Sequence, residues 1–283
     1  MRYLFVLAIG LGFWGDADGA TGMAFLLRNP DGRTAAMGDV GAALWGGGLP
    51  AWGNPAGLVP LVGRRLALGQ MLWFQGIKQE YLGMAWGTGV RAWGVGLMYC
   101  GVGGLEHREG PSEKPQGTFG VYDIALGLSG AGEVGPVVLG GTVRVLYEKI
   151  YLYETKGVGA DIGFLWPMPV RGLVFGGTVS HLGYVRDVSL PREVRIGVSY
   201  SKGAFRGALE GYLLRGRDPQ VRVGGEVRTG GLSLRAGYVV GPEERNIAAG
   251  VGLRMGRLQV NYAWVPYYYD LGDTHRVCVQ FGG

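Results

Sequence analysis

Asp123, Arg144 and Asp161 are ionisable side chains set in runs that are otherwise apolar and glycine-rich: FGVYDIALGLS, GTVRVLYEKI and GVGADIGFLW. Two carboxylates brought together could divide acid and base work in a hydrolytic site, but a guanidinium between them favours the charged form of both and points to ion pairing. The three residues are therefore expected to form a carboxylate, guanidinium, carboxylate ladder across neighbouring strands. A second set, Arg195, Glu210, Arg222, Glu226 and Arg235, offers the same chemistry further along the chain. Both sets either neutralise themselves and hold something in place or line a path for a solute or proton; the first reading is taken. No nucleophile is set up for acyl transfer. GLSGAG (residues 127–132) lacks the second glycine of a Gly-x-Ser-x-Gly elbow, and GVGGLE follows a strand instead of opening a helix as a phosphate-binding turn does. Cys100, Cys278, His107, His181 and His275 have no metal-ligand spacing and suggest no disulfide framework. No enzyme activity, metal or cofactor is expected, and a phospholipase or protease is a minor alternative.

These charges must be carried by elements with two unlike faces. From about Arg65 onward the chain alternates with period two, the signature of strands. In RAWGVGLMYC, Trp93, Val95, Leu97 and Tyr99 share one face, and Ala92, Gly94, Gly96 and Met98 the other. Val158, Ile162, Phe164 and Trp166 likewise oppose Gly159, Asp161 and Gly163. One face is bulky and apolar; the other is small with isolated charges. A soluble sandwich would turn its bulky face inward and coat the outside with polar residues, whereas a transmembrane barrel turns the bulky face to lipid. With 57 glycines in 283 residues and plentiful aromatics, the barrel fits better.

The fold class expected is all-β: a transmembrane antiparallel β-barrel of about 14 strands with an N-terminal plug segment, an even strand number as bacterial barrels have. Strands are expected to start near Arg65, Ile77, Arg91, Phe119, Val137, Gly157, Leu173, Arg192, Ala204, Gln220, Leu232, Asn246, Arg257 and His275. Connections after even strands are mostly tight and those after odd strands longer, as for periplasmic turns and outer loops. The longest loop is expected over about Gly101 to Thr118. Aromatics near strand ends (Trp73, Phe74, Trp86, Tyr99, Tyr147, Tyr151, Trp166, Tyr200, Tyr238 and Trp264) suit interfacial girdles.

Residues 1–20 read as a cleaved signal peptide, with Arg2, an apolar core from about Tyr3 to Trp14 and small residues after it; cleavage would follow Ala17 or Ala20. The core is short for a membrane anchor, the alternative. Residues 21–62 lack strand alternation and are expected as the plug, with a disordered periplasmic leader as the alternative, and residues 63–283 as the barrel. The expected location is the bacterial outer membrane, with outer-membrane lipid as a partner. A net charge of +5 scattered along strands does not suit a nucleic acid.

Several stretches together carry a family resemblance: FLLRNPDGRTAAMGDVGAALWGGGLPAWGNPAGL, LGGTVRVLYEKIYLYETKGVGADIGFLW, VSHLGYVRDVSLPREVRIGVSY, GGEVRTGGLSLRAGY and LQVNYAWVPYYYDLGDTHRVCVQF. Across them the chain resembles the PorV/PorQ proteins, relatives of the FadL-type outer-membrane transporters. Met37-Gly38 and Leu271 to Arg276 make the match more specific than Asn-Pro-Ala-Gly alone. The terminal Val277, Val279 and Phe281 are similar to the signal read by barrel-assembly machinery. The resemblance implies that Asn54, Pro55, Ala56 and Gly57 form a rigid bend of a plug inside the lumen. PorV similarity implies an accessory of type IX-like secretion, binding and delivering secreted cargo proteins or contacting secretion-machinery components. FadL similarity implies the alternative: passive transport of hydrophobic small molecules, which displace the plug and leave laterally through the wall.

Overall fold

A strand that buries every second residue can close a wall with a small-residue inside and an apolar outside, and the sequence supplies that pattern fourteen times. The computed structural model describes residues 22–46, 49–108, 114–186, 188–241 and 244–282, so the expected signal peptide (residues 1–20) lies outside the described residues. The first half of the wall is β1 (Val62–Leu72), β2 (Lys78–Thr88), β3 (Arg91–His107), β4 (Gly117–Val134), β5 (Val137–Ile150), β6 (Tyr153–Pro167) and β7 (Leu173–Val185). The second is β8 (Glu193–Lys202), β9 (Phe205–Leu214), β10 (Gln220–Thr229), β11 (Leu232–Val240), β12 (Ile247–Met255), β13 (Leu258–Tyr267) and β14 (Gly272–Gly282). Each strand pairs antiparallel with its sequence neighbours, and β1 pairs with β14 to close the barrel and remove both edges.

Alternation is cleanest in β2, where Gln79, Tyr81 and Ala85 are buried while Leu82, Met84 and Trp86 are exposed. Outward residues form an apolar band around the barrel; Leu128 is 57% exposed, Val143 58% and Ile162 62%. Such a continuous exposed apolar surface is stable only against an apolar solvent or partner. No helix among the described residues is long and apolar enough to cross a membrane.

The two ends of the barrel differ. At the end where β1 begins and β14 finishes, Gly203 and Gly256 open two-residue turns in the left-handed region, φ 57° and 59°, where a side chain would be strained. At the opposite end, β3 runs on to His107 and β4 begins at Gly117, so half of the expected Gly101 to Thr118 loop is strand, with a register break between Val102 and Leu105. The β5–β6 connection there is only two residues, so the sixth strand begins at Tyr153, ahead of the expected Gly157.

Two rows of outward aromatics follow the strand ends. Trp86 and Trp93 are cross-strand partners near the turn end, and Tyr99, Tyr122 and Tyr147 make a row on β3 to β5 near the loop end, with ring centroids 6.4 and 6.0 Å apart. Trp73 and Phe74 do not join them. They gather with Tyr267 at the loop-end mouth, where the Arg28 guanidinium lies 4.5 Å from the Trp73 ring.

Residues 22–46 and 49–61 lie against the inner wall. They contain one short helix, α1 (Gly32–Ala36), and two single turns, Ala24–Leu27 and Pro55–Leu58. The inward glycines leave room for this lumenal segment: a Cβ on Gly140 would stand 2.6 Å from the Ala56 amide nitrogen, and one on Gly163 would overlap the Asn54 carboxamide.

Candidate functional site

The candidate site is the contact between the lumenal segment and the inward charges of the wall. A segment without a sheet ladder must satisfy its backbone groups otherwise, and wall side chains do much of this work. Asn54 caps the Pro55–Leu58 turn by accepting from the Ala56 amide at 3.0 Å, while its Nδ2 donates to the carbonyls of Ala42 at 2.6 Å and Phe164 at 3.0 Å. Asn54 thereby joins two parts of the segment to β6. Pro55 fits the first position of the turn because it lacks the N–H that position would leave unpaired. Ala56 and Gly57 are buried behind it.

Arg144 donates from Nε and Nη2 to the Ala51 carbonyl, at 3.1 and 2.5 Å, and pairs with Asp161 at 2.5 Å. Asp161 in turn accepts from the His181 amide at 2.9 Å. His181, at φ 61°, belongs to a bulge of β7 in which Ser180 and His181 together face Asp161. A continuous chain of contacts therefore runs from the lumenal segment through Arg144 and Asp161 to an irregularity in the wall.

The expected three-residue ladder is corrected here. Arg144 stands opposite Gly127, not Asp123, and Asp123 stands opposite Glu148. Glu148 accepts from the Met23 amide at 3.3 Å, so it too contacts the segment.

The second expected set divides in two. On the loop-ward side, Arg195 and Arg222 lie 3.8 and 3.7 Å from Glu210, whose other oxygen accepts from the Gly41 and Ala42 amides at 2.7 Å each. On the turn-ward side, Glu226 accepts from Arg235 at 2.7 Å and, in a two-point fork, from Arg33 of α1 at 3.1 and 3.3 Å. Forked guanidinium–carboxylate pairs fix orientation as well as attraction. Arg228 adds a further contact at 2.8 Å.

Asp39 was not among the expected site residues and is the most heavily paired group of the segment. Its carboxylate accepts from Arg276 at 2.9 Å and Arg245 at 2.8 Å, and its carbonyl accepts from Arg195 and Arg222 at 3.3 and 3.4 Å. Burial alone would raise its pKa, but Arg276, Arg245, Arg222 and Arg195 together hold it well below the usual carboxylate range. The signal available in the sequence was the arginine excess of the inward faces, which required carboxylates from elsewhere. Cys100 and Cys278 are buried free thiols.

Toward the loop end an apolar cluster lies beside these charges. Met23, Phe25 and Leu26 of the segment pack in one cluster with Tyr81, Met98, Leu146, Val185 and Leu190. Tyr81 also donates to the Pro50 carbonyl at 2.5 Å and meets Trp52 edge-on at 5.6 Å.

This closed antiparallel barrel of fourteen strands is similar in fold to solved outer-membrane barrels, a FadL homologue among them. The toluene transporter TodX of Pseudomonas putida superposes with a TM-score of 0.65 at 10% identity, over 89% of this chain and 96% of that one. A deltaS2 mutant of the TodX monoaromatic hydrocarbon channel gives 0.65 at 12% identity, covering 87% and 96%. A FadL homologue of Pseudomonas aeruginosa gives 0.54 at 11%, covering 88% and 97%. At such identities the likeness is one of fold. No protein-family model matches the sequence, and neither does any curated protein.

Proposed function

We propose that this protein is an outer-membrane channel for hydrophobic small molecules, with the lumenal segment as its gate and no catalytic step. The observation that carries the reading is the apolar cluster of Met23, Phe25 and Leu26 against Tyr81, Met98, Leu146, Val185 and Leu190 in the loop-end half of the lumen. The aromatic group of Trp73, Phe74 and Tyr267 stands at the mouth above it and offers apolar solutes a first contact. The barrel fold shared with the hydrocarbon channel TodX supports the same reading.

In this mechanism a solute enters at the aromatic mouth and competes with Met23, Phe25 and Leu26 for the apolar wall. Displacing the segment loosens the Ala51 contact with Arg144, and through Asp161 the β7 bulge at Ser180 and His181, where the solute leaves sideways. The type IX-like accessory role implied by the PorV/PorQ resemblance gains no support from the structural neighbours and is not carried forward.

The test is uptake of toluene by Gram-negative cells expressing the protein, whose lipopolysaccharide otherwise slows hydrophobic solutes. Uptake above that of cells carrying an empty vector is expected, and it should fall when Leu26 and Met98 are replaced by Asn. Uptake equal to the empty-vector cells would overturn the reading.

A further inference from the structure

The turn-end half of the lumen holds a cavity of about 320 Å³ that the transport reading does not use. Arg33, Arg65, Arg206, Arg228, Arg235 and Arg254 line it with one carboxylate, Asp31, and a second, Glu226, pairs with four of the arginines from outside the lining. Both carboxylates are already engaged. Both oxygens of Asp31 accept from the first amides of α1, Arg33 and Thr34, and Glu226 already meets Arg33, Arg206, Arg228 and Arg235. Arg65 has no ion pair among the described residues, and Arg254 only a hydrogen bond to Gln259 at 3.1 Å.

One donor is stranded. The Arg235 side chain is 1% exposed, its Nε is taken by Glu226, and its Nη1 is buried without a partner. Both of its terminal nitrogens lie 2.6 Å from where a Cβ on Gly252 would stand, and Gly252 also lines the cavity. A buried guanidinium nitrogen left unpaired is costly, and so is a surplus of like charge around one space. Both costs vanish when an acceptor-rich anion occupies the cavity.

We propose that this turn-end cavity binds a phosphate-class oxyanion, either free phosphate or the phosphate group of a small organic ester. A dianion matches the surplus of guanidiniums over carboxylates better than a single carboxylate does, and Arg235, Arg65 and Arg254 present forked donors suited to its oxygens. The site lies at the turn end, away from the apolar cluster of Met23, Phe25 and Leu26.

Calorimetric titration of the detergent-solubilised full chain, at ionic strength held with sodium chloride, tests the proposal with inorganic phosphate and with glycerol 3-phosphate. Saturable one-to-one binding is expected. Replacing Arg65 and Arg254 together by Gln should weaken it by about tenfold or more, the loss of at least one charge-assisted hydrogen bond. These two residues stand outside the Glu226 cluster, so the variant should keep the heat-modifiable mobility of a folded barrel; Arg235→Gln serves as the stronger second variant. Tighter binding of the ester would identify an organic phosphate as the ligand, and equal binding would identify the phosphate group itself; both uphold the site. No saturable heat with either compound, or unchanged affinity in the folded Arg65, Arg254 variant, would overturn it.

Discussion

At the scale of single residues, the barrel wall acts on the lumenal segment through charges whose partners lie on the other body. Arg144 is the clearest case, since it alone joins the Ala51 carbonyl to Asp161. Arg144→Ala leaves the Asp161 carboxylate buried without its counter-ion, and breaking such a pair costs about 3 to 5 kcal/mol. A lower denaturant midpoint and faster proteolysis near Ala51 are expected, whereas wild-type values for both would remove Arg144 from this role. Asp39 sets an acid limit. Because its folded pKa is depressed, its contribution is complete above the ordinary carboxylate pKa of about 4 and declines as pH falls from there toward the lower folded value. Protease resistance of residues 31–46 should hold from pH 7 to about 4 and decline below it. Asp39→Asn should lower resistance at neutral pH and flatten the acid decline; an unchanged acid decline would assign it to other carboxylates.

At the scale of elements, glycine on the inner wall and the segment it admits are one design. A Cβ on Gly140 would meet the Ala56 nitrogen at 2.6 Å and the Pro55 carbonyl carbon at 2.7 Å, both backbone atoms that cannot swing aside. Gly140→Val should therefore unseat the Pro55–Leu58 turn at a cost of about 1 to 3 kcal/mol, as overpacking does. Cleavage within residues 49–61 should rise while the barrel keeps its folded mobility on unheated gels; an equally resistant segment would contradict the close approach. The strands themselves were legible in the sequence because one face is bulky and the other small. The site was legible only in part. Arg144, Asp161, Arg195, Glu210, Arg222, Glu226 and Arg235 could be placed inward by alternation, but partners depend on register. The tight turn after β4 sets Asp123 against Glu148 and Arg144 against Gly127, while Arg144 reaches Asp161 diagonally, two residues beyond its own partner Gly159. Asp39 and Arg33 stayed hidden because their segment has no periodicity from which to read a facing.

At the scale of the whole molecule, an aromatic mouth and an apolar cluster toward the loops lie beside ion pairs centred on Asp39, Arg144 and Glu210, and an arginine-lined cavity follows at the turn end. The outward band and the two aromatic rows were readable from composition and alternation, since a lipid-facing surface is written along every strand. The zoning was not, because it arises from which part of the lumenal segment meets which strands. Motion of that segment is the central claim, and a tether tests it most directly. The Cβ of Pro30 lies 3.5 Å from where a Cβ on Gly69 would stand, within reach of a disulfide. With Cys100 and Cys278 replaced by Ser, the paired Pro30→Cys and Gly69→Cys variant would fix the segment to β1 when oxidised and free it when reduced. Toluene uptake by cells expressing this variant is the measurement: low uptake when oxidised that recovers on reduction is expected, and equal uptake in the two states would contradict a gate formed by the lumenal segment.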